Sequence, residues 1–257
     1  MSAFAYKLGK LPPRRDPRTL RFARYVLPSA LPPLPQWVRW SQSARDAWGM
    51  MLNDTIGDCT CASAGHAIQA WTANHGAEVT LPDASILSAY QAVSGYNPAT
   101  GANDNGAVEI DVLNYWRNTG IGGHRIGAYV TLQPRDVREV KEAIYLFGGV
   151  YIGVALPAAA QGQAVWKAPH FRFDFGHPAW QPGSWGGHAV FCIDYDAQYV
   201  TCVTWGQLLK MDWAFFTTYC EEAYGIISPE WVNDATKAPN GFDAKALIED
   251  LNALGAP

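Results

Sequence analysis

Two side chains of this sequence could act as a nucleophile and its base. Cys59 follows Asp58 at the start of an Ala-rich segment in which apolar residues recur with the helical period. Because Asp is a favourable N-cap residue, the pattern predicts Cys59 in the first turn of a helix, where the helix dipole favours a thiolate. His188 follows two glycines and begins an apolar segment, which predicts a strand start at a cleft. A histidine there could hold a proton beside the sulfur.

The cysteines also have other interpretations. Cys59 could be a buried, inert thiol, a common fate of this residue type. Cys59 and Cys61, together with His66, could suggest a metal site, but zinc needs four suitably spaced ligands and no Cys-x-x-Cys pair completes the set. We therefore predict no metal and no cofactor. Cys192 and Cys202 are equidistant in sequence from Ala197 and could face each other in a hairpin. Without an export signal, two buried thiols are favoured over a disulfide.

The elements that position such a pair must belong to a globular domain. The chain has 257 residues, nearly half of them apolar and 16% charged, with 11 Trp, 12 Tyr and 10 Phe. This composition excludes a largely disordered chain and supports a sizeable core. The longest apolar stretch, residues 146–160, is interrupted by glycines and too short for a bilayer, and no Sec-type signal is evident. We therefore expect a soluble protein, cytoplasmic or part of a particle.

Residues 1–36 form a basic, Pro-rich N-terminal arm. Within residues 1–24, seven Lys or Arg side chains stand against one acid, a net charge of +6 beside −10 for the remainder of the chain. Closely spaced prolines in residues 28–35 exclude a helix of normal length. Such an arm could bind nucleic acid or an anionic surface, but the acidic remainder favours docking on its own domain. We therefore expect neither a nucleic-acid nor a membrane partner.

The pattern changes from helical to extended along the chain. Helices are predicted from Cys59 onwards and over residues 83–94, 106–119 and 134–147, the last started by Pro134. Strands are predicted over residues 150–156, 189–195, 199–205 and 222–227. This is an α+β layout: a helical lobe over about residues 50–148, a β lobe over about 149–230 and a tail over 231–257. A cleft is expected between the lobes.

Two motifs resemble those of papain-like cysteine peptidases. The segment of residues 53–60, Asn-Asp-Thr-Ile-Gly-Asp-Cys-Thr, is similar to the nucleophile motif, especially the Gln-Gly-x-x-Gly-Ser-Cys-Thr form of bacterial members. Residues 186–190, Gly-Gly-His-Ala-Val, followed by Asp-Tyr-Asp at 194–196, resemble the family's histidine strand. Cys59 and His188 are 129 residues apart, beside about 130–150 for papain and cathepsins. The resemblance covers roughly residues 36–227 and implies a papain-like, two-lobed α+β fold.

The resemblance also implies a mechanism and a set of site residues. Thiolate Cys59 would attack a carbonyl of a peptide or protein substrate, and His188 would protonate the leaving group. Asn53, aligned with the family's glutamine, would donate to the oxyanion together with the Cys59 backbone N–H. Asn105 and Gly106 resemble the segment that binds the substrate backbone. Gly187, directly before the histidine, is assigned to substrate binding with them.

The match departs from the family at the residue that orients the histidine. If Trp205 is aligned with the family's tryptophan, the orienting asparagine becomes Val203, which cannot hold an imidazole. A hairpin centred on Ala197 would instead place Thr204 diagonal to His188 on the same face. These two alignments conflict. In the family the tryptophan lies on the same face as the asparagine, whereas the hairpin places Thr204 on the face of His188 and Trp205 on the opposite face. We favour Thr204, with Asp194 as the other polar candidate, and note that Asn53 is one methylene shorter than glutamine.

These features support three functional hypotheses. The first is a cysteine-type acyl hydrolase, most simply a peptidase, acting through Cys59 and His188. The second is a catalytically impaired papain-like domain that serves as a binding or structural component of a larger phage or secretion assembly, with the arm on a neighbouring subunit. In the third, the arm is an autoinhibitory pro-segment that docks in the cleft and is removed by cleavage.

Overall fold

The structure is a computed structural model that describes residues 6–14, 16, 19–26, 31–169, 176–231 and 249. Nearly all of the predicted tail therefore lies outside the described residues. The helices are α1 (Cys59–Asn74), α2 (Asp83–Ser94), α3 (Glu109–Asn118), α4 (Val137–Phe147) and α5 (Trp213–Tyr219). The strands are β1 (Val38–Arg39), β2 (Ala128–Thr131), β3 (Val150–Leu156), β4 (Val165–Trp166), β5 (Gly186–Tyr195), β6 (Tyr199–Thr204), β7 (Gln207–Asp212) and β8 (Cys220–Ile227).

Helix α1 is the central helix of the molecule. All of its residues from Cys59 to Ala73 are buried. Alanines and Gly65 make this possible, since a Cβ at Gly65 would lie 2.4 Å from the Met51 sulfur. Asp58 occupies the N-cap position and Cys59 is the first helical residue, as predicted, but the Asp58 side chain makes no capping hydrogen bond. Its backbone, with φ −101° and ψ 16°, lies outside the extended region typical of N-cap residues, and its buried carboxyl interacts with Asn53 instead.

The strands form one sheet in the order β2-β8-β3-β5-β6-β7-β4, with β1 also paired to β5. All neighbours are antiparallel except β4 and β7. Alternate residues of β5 enter two cores: Ala189 and Phe191 pack with α1, α2 and α3, whereas Val190 and Cys192 pack with α4 and α5. His188 is the third residue of β5, which starts two residues earlier than predicted, and the residue after it faces the central helix.

The α+β class and the order of the main elements are confirmed. Strand β3 and helix α2 have the predicted bounds. Helix α4 starts at Val137 rather than at Pro134, because the Asp136 side chain accepts hydrogen bonds from the next backbone N–H groups, those of Arg138 and Glu139. The helical half also supplies two strands to the sheet, β1 and β2, which the apolar pattern did not predict. Both are short and acquire their conformation by pairing with β5 and β8.

Cys192 and Cys202 are cross-strand partners in β5 and β6, as the hairpin pattern predicted, and both are free, buried thiols. In the part of the chain that the structure describes, no helix has the length and apolar character needed to span a membrane. Beyond the cleft, the N-terminal arm continues along the sheet. Leu20 accepts a backbone hydrogen bond from Thr131 of β2, and the Phe22 ring meets Phe147 edge to face.

Candidate active site

The Cys59 thiol lies at the N-terminus of α1 and is 1% exposed. Its Sγ accepts a hydrogen bond, at 3.4 Å, from the backbone N–H of Ala189. Burial raises the pKa of the thiol to about 12, and the nearby Asp58 adds to this, whereas the N–H groups of Ala189 and Gly9 oppose it. Burial therefore outweighs the helix dipole that the sequence led us to expect, and Cys59 is a neutral thiol in this state.

His188 lies one residue from Ala189 and is completely buried. Its Nε2 is 2.7 Å from Thr204 Oγ1, and its ring stacks on Trp205 with centroids 4.2 Å apart and planes 12° apart. Its Nδ1 has no hydrogen-bond partner within the described part of the chain. Burial lowers the pKa of the imidazole to about 3, with a smaller contribution from His66. The imidazole is therefore neutral. Its Nε2 is hydrogen-bonded to Thr204, and its Nδ1 has no partner among the described residues.

The turn between β6 and β7 brings Thr204 and Trp205 to the same imidazole. Trp205 and Gly206 form a two-residue turn in which both residues have positive φ, 45° and 70°. Trp205 thereby leaves the alternation of the strand, so it can stack on the ring that Thr204 contacts. This resolves the conflict between the two alignments. Val203 points into the core beside α1.

Asp194 does not reach the imidazole network. Its carboxylate accepts hydrogen bonds from the backbone N–H and the hydroxyl of Ser41, at 2.9 and 2.5 Å. Burial raises the pKa of this carboxyl, and the Ser41 bonds oppose that shift. Asp194 thus fixes the chain that follows β1, and Thr204 is the polar side chain at His188.

Asn53 lies in the loop that leads into α1. Met51 and Leu52 both have positive φ, which turns the chain before Asn53, whose N–H donates to Met50 O at 3.1 Å. The Asn53 side chain is buried beside the Asp58 carboxyl and interacts with it. Burial raises the pKa of Asp58 well above its ordinary value, and the contact with Asn53 opposes this shift.

Asp104 and Tyr90 support the site, although the sequence did not identify them. Asp104 Oδ1 accepts hydrogen bonds from the Gly57 N–H and the Tyr90 hydroxyl, both at 2.8 Å. The Tyr90 oxygen in turn accepts one from the Gly106 N–H at 3.0 Å. This network ties the loop of residues 95–106 to the turn before Cys59. Asp104 directly precedes Asn105 and Gly106 in the chain, but only the fold brings Tyr90 of α2 to it.

Residues 6–14 of the arm, here called the cleft segment, run between the two walls of the site. On one wall, Ala107 N–H donates to Gly9 O at 2.8 Å and Leu11 N–H donates to Ala107 O at 3.0 Å. On the other wall, Gly187 O accepts from the Lys10 N–H at 3.1 Å. The cleft therefore binds an extended peptide backbone from both sides.

Glycines permit this close approach. A Cβ at Gly106 would lie 2.0 Å from Gly9 O, and one at Gly187 would lie 2.2 Å from Lys10 O. Gly106 also has a φ of 86°, which favours glycine. The backbone hydrogen bonds with the cleft segment are made by the next residue, Ala107, which the motif did not predict. Asn105, which is predicted to bind substrate, is exposed.

The cleft segment also covers the histidine. Tyr6 stacks on Trp205 with centroids 4.3 Å apart, and Trp205 Nε1 donates to Lys7 O at 3.2 Å. Gly9 passes so close to Gly57 that a Cβ on it would be 1.7 Å from the Gly57 oxygen. The burial of Cys59 and His188, and the pKa shifts that follow from it, thus occur with the arm's own backbone in the cleft.

This fold and this arrangement define a class: the chain has the fold of the papain-like cysteine proteases. It is similar to xylellain, a cysteine protease from Xylella fastidiosa, with 15% identity, a TM-score of 0.64, and coverage of 87% of this chain and 96% of that one. It is also similar to procathepsin L 3 of Tenebrio molitor larval midgut, with 15% identity, a TM-score of 0.58, and coverage of 87% of this chain and 77% of that one. For procathepsin B S9 of Trypanosoma congolense, the identity is 12% and the TM-score 0.57, with coverage of 88% of this chain and 89% of that one. No protein-family model matches the sequence, and no curated protein sequence matches it significantly.

Proposed function

We propose that this protein is a cysteine peptidase in which Cys59 is the nucleophile and His188 its base, held in a latent state by its N-terminal arm. The observation that carries the proposal is the His188 ring. One nitrogen is bound by Thr204, the other is free, and the next residue, Ala189, contacts the Cys59 sulfur. A nucleophile beside a base that a third group orients is the arrangement that acyl transfer requires.

In the proposed reaction, His188 takes the thiol proton and the thiolate attacks the substrate carbonyl carbon, forming a C–S bond. The oxyanion is received by the Cys59 backbone N–H and Asn53 Nδ2. The imidazolium then protonates the leaving amine as the C–N bond breaks. A water molecule, deprotonated by His188, hydrolyses the thioester and restores the thiol. Thr204 keeps the imidazole in the required orientation throughout.

In the proposed latent state, the cleft segment excludes both water and substrate. Its backbone occupies hydrogen-bonding groups of Ala107 and Gly187 that an extended substrate would use. Removal or displacement of the arm would hydrate Cys59 and His188. Because burial is the main cause of both pKa shifts, the pKa of the thiol would then fall and that of the imidazole would rise.

The full-length Gly9→Ala variant tests this proposal. Its new Cβ meets backbone atoms of Gly57, at 1.7 and 2.2 Å, which no side-chain movement can relieve. The arm should leave the cleft, so iodoacetamide at pH 7 should alkylate Cys59 at least about tenfold faster than in the unchanged protein. Leu11→Ala is the matched control, since the Leu11 side chain is 37% exposed. Alkylation is read by peptide mass mapping, and hydrolysis by mass spectrometry of a mixed peptide library.

Addition of Cys59→Ala or His188→Ala to the Gly9→Ala protein should lower hydrolysis by about a thousandfold or more. If Cys59 becomes alkylated but no peptide is cleaved, the peptidase proposal is wrong. That result would support a second candidate, a binding or structural domain of a larger assembly. The observation in its favour is that the cleft is occupied by the arm, whose extended backbone binds Ala107 and Gly187 as a segment of a partner protein could.

A further inference from the structure

The side chain of Lys10 leaves the cleft segment and enters a closed pocket beside the site. We call this the Lys10 pocket and define it by Glu109 of α3, Gly153 of β3, and Glu221 and Glu222 of β8. The Lys10 side chain is completely buried. Its Nζ is 3.0 Å from Glu222 Oε1 and 3.1 Å from Glu221 Oε2, and it also donates to Leu11 O at 3.1 Å. The pocket thus surrounds an ammonium group with acidic side chains.

Glu109 adds a second fully buried carboxyl group to the pocket. Neither of its side-chain oxygens has a hydrogen-bond partner among the described residues. Burial raises the pKa of this carboxyl well above its ordinary range, and Glu222 adds to the shift while Lys10 opposes it. Buried carboxylates are costly without a cation, and here the cation belongs to the arm. Once the arm is displaced, the acidic groups lose their counter-ion.

The shape of the pocket also suits a long basic side chain. A Cβ at Gly153 would lie 1.9 Å from Lys10 Cε and 2.9 Å from Glu109 Oε1, so this glycine makes room for the aliphatic stem. The Tyr224 hydroxyl donates to Glu222 Oε2 at 2.9 Å and fixes that carboxylate. A depth that accepts four methylenes, ending at an oriented carboxylate, fits a lysine or arginine.

The pocket is one residue from the point where the peptide passes the nucleophile. Gly9 packs against Gly57, two residues before Cys59, and the backbone N–H of Lys10 is held by Gly187, the residue before His188. Any extended chain bound by Ala107 and Gly187 as the arm is bound would therefore direct one side chain into the Lys10 pocket.

We infer that the Lys10 pocket is a specificity site that takes a lysine or arginine side chain of a peptide substrate, and that Lys10 of the arm occupies it as a mimic. This inference rests on the proposed peptidase function. Glu222 is the principal residue that binds the cation, and the buried Glu109 carboxyl completes the lining of the pocket beside Gly153.

The test uses the full-length Gly9→Ala/Lys10→Ala protein, in which the pocket is empty. Its substrates are peptides that differ only at one position, carrying lysine, arginine or the neutral isostere norleucine. We expect kcat/KM to be at least about tenfold higher for the basic peptides. Glu222→Gln should reduce this ratio to about threefold or less. The control Glu142→Gln on α4, a partly buried carboxylate paired with Arg138 outside the pocket, should not change it.

A binding measurement separates this inference from the proposed function. Cys59→Ala is added to the same protein, and calorimetry measures the affinity for the peptide Tyr-Lys-Leu-Gly-Lys-Leu-Pro-Pro-Arg, the sequence of residues 6–14, and for its analogue with norleucine in place of the second lysine. The lysine peptide should bind at least about tenfold more tightly. Because only the ligand changes, the comparison does not depend on how a pocket variant folds.

The outcomes have distinct meanings. Peptide hydrolysis without preference for a basic side chain would overturn the inference and leave the peptidase proposal intact. Preferential binding of the lysine peptide, with no hydrolysis of any peptide by the protein that retains Cys59, would overturn the peptidase proposal and support the cation-binding pocket. Equal affinity for the two peptides would overturn the inference.

Discussion

At the scale of single residues, the imidazole of His188 is oriented by a hydroxyl and an indole. Thr204 Oγ1 contacts Nε2, and Trp205 restricts the tilt of the ring by stacking. A threonine hydroxyl can both donate and accept, so it suits a neutral imidazole as well as an imidazolium. Its short side chain reaches the ring only because the turn at Trp205 and Gly206 brings the end of β6 against the start of β5.

Thr204→Val tests this positioning role, because valine has the shape of threonine without the oxygen. The buried Nε2 would lose its partner, so we expect kcat to fall about tenfold in the Gly9→Ala protein and the pH–rate profile to shift. Thr204→Ser, which keeps the hydroxyl, should retain most of the activity. If the valine and serine variants had the same pH–rate profile, Thr204 would not position the imidazole.

At the scale of elements, α1 carries a buried histidine that the proposed chemistry does not use. His66 Nε2 is 2.7 Å from Gly49 O, and its ring meets Trp48 edge to face. It ties the middle of the helix to the loop that precedes Asn53. Burial lowers the pKa of His66 to about 4, and the hydrogen bond with Gly49 opposes only a small part of this shift.

This shift makes the stability of α1 depend on pH. Since the pKa of His66 is lower in the folded chain than in the unfolded chain, its stabilising effect is complete above pH 6.5 and is lost as the pH falls through about 4. The loss amounts to about 3 kcal/mol. Urea unfolding at several pH values, compared with His66→Gln, should show this difference, while the exposed His75→Gln control should not. A constant difference between the unchanged protein and His66→Gln across this range would contradict the prediction.

At the scale of the whole molecule, Lys10 joins parts of the chain that are far apart in sequence. Its side chain contacts α3, β3 and β8, and its backbone N–H donates to Gly187 O. Its neighbours Gly9 and Leu11 make the backbone hydrogen bonds with Ala107. Burial disfavours its charge, but Glu109 and Glu222 outweigh this and raise the pKa of Lys10. The arm therefore contributes a buried ion pair to the domain that it covers.

Lys10→Met in the full-length chain should lower the free energy of unfolding by about 3 kcal/mol at pH 7, because it leaves buried carboxyl groups without a cation. The deficit should shrink as the pH falls, since the pKa of Glu222 is raised by burial and protonation removes its charge. Lys7→Met is the control, because Lys7 is half exposed and 3.9 Å from Asp104. Urea unfolding at pH 7 and pH 4.5 measures both variants. An equal effect of the two substitutions would contradict a buried ion pair at Lys10.

The sequence by itself determined the order of the main helices and strands, because the apolar period is a local property of each segment. It also predicted Cys59 and His188 as candidate site residues, since a cysteine at a helix start and a histidine after two glycines are recognisable from neighbouring residues. The sequence also predicted the even-with-even pairing of Cys192 with Cys202, although next to the turn Asp194 pairs with Thr201, and a register shift between Cys192 and Asp194 separates the two registers.

Only the tertiary structure decided the state of the site. The pKa of Cys59 depends on its burial under the arm, which lies about 50 residues earlier in the chain and reaches the thiol only after folding. Asp194 is bound by Ser41, a distant residue, and this leaves Thr204 at the imidazole. Trp205 reaches the same ring through a turn with positive φ, which its residue type does not predict. The pairing of Lys10 with Glu109 and Glu222 joins three distant segments, and charge pattern alone cannot show which acid a given lysine meets.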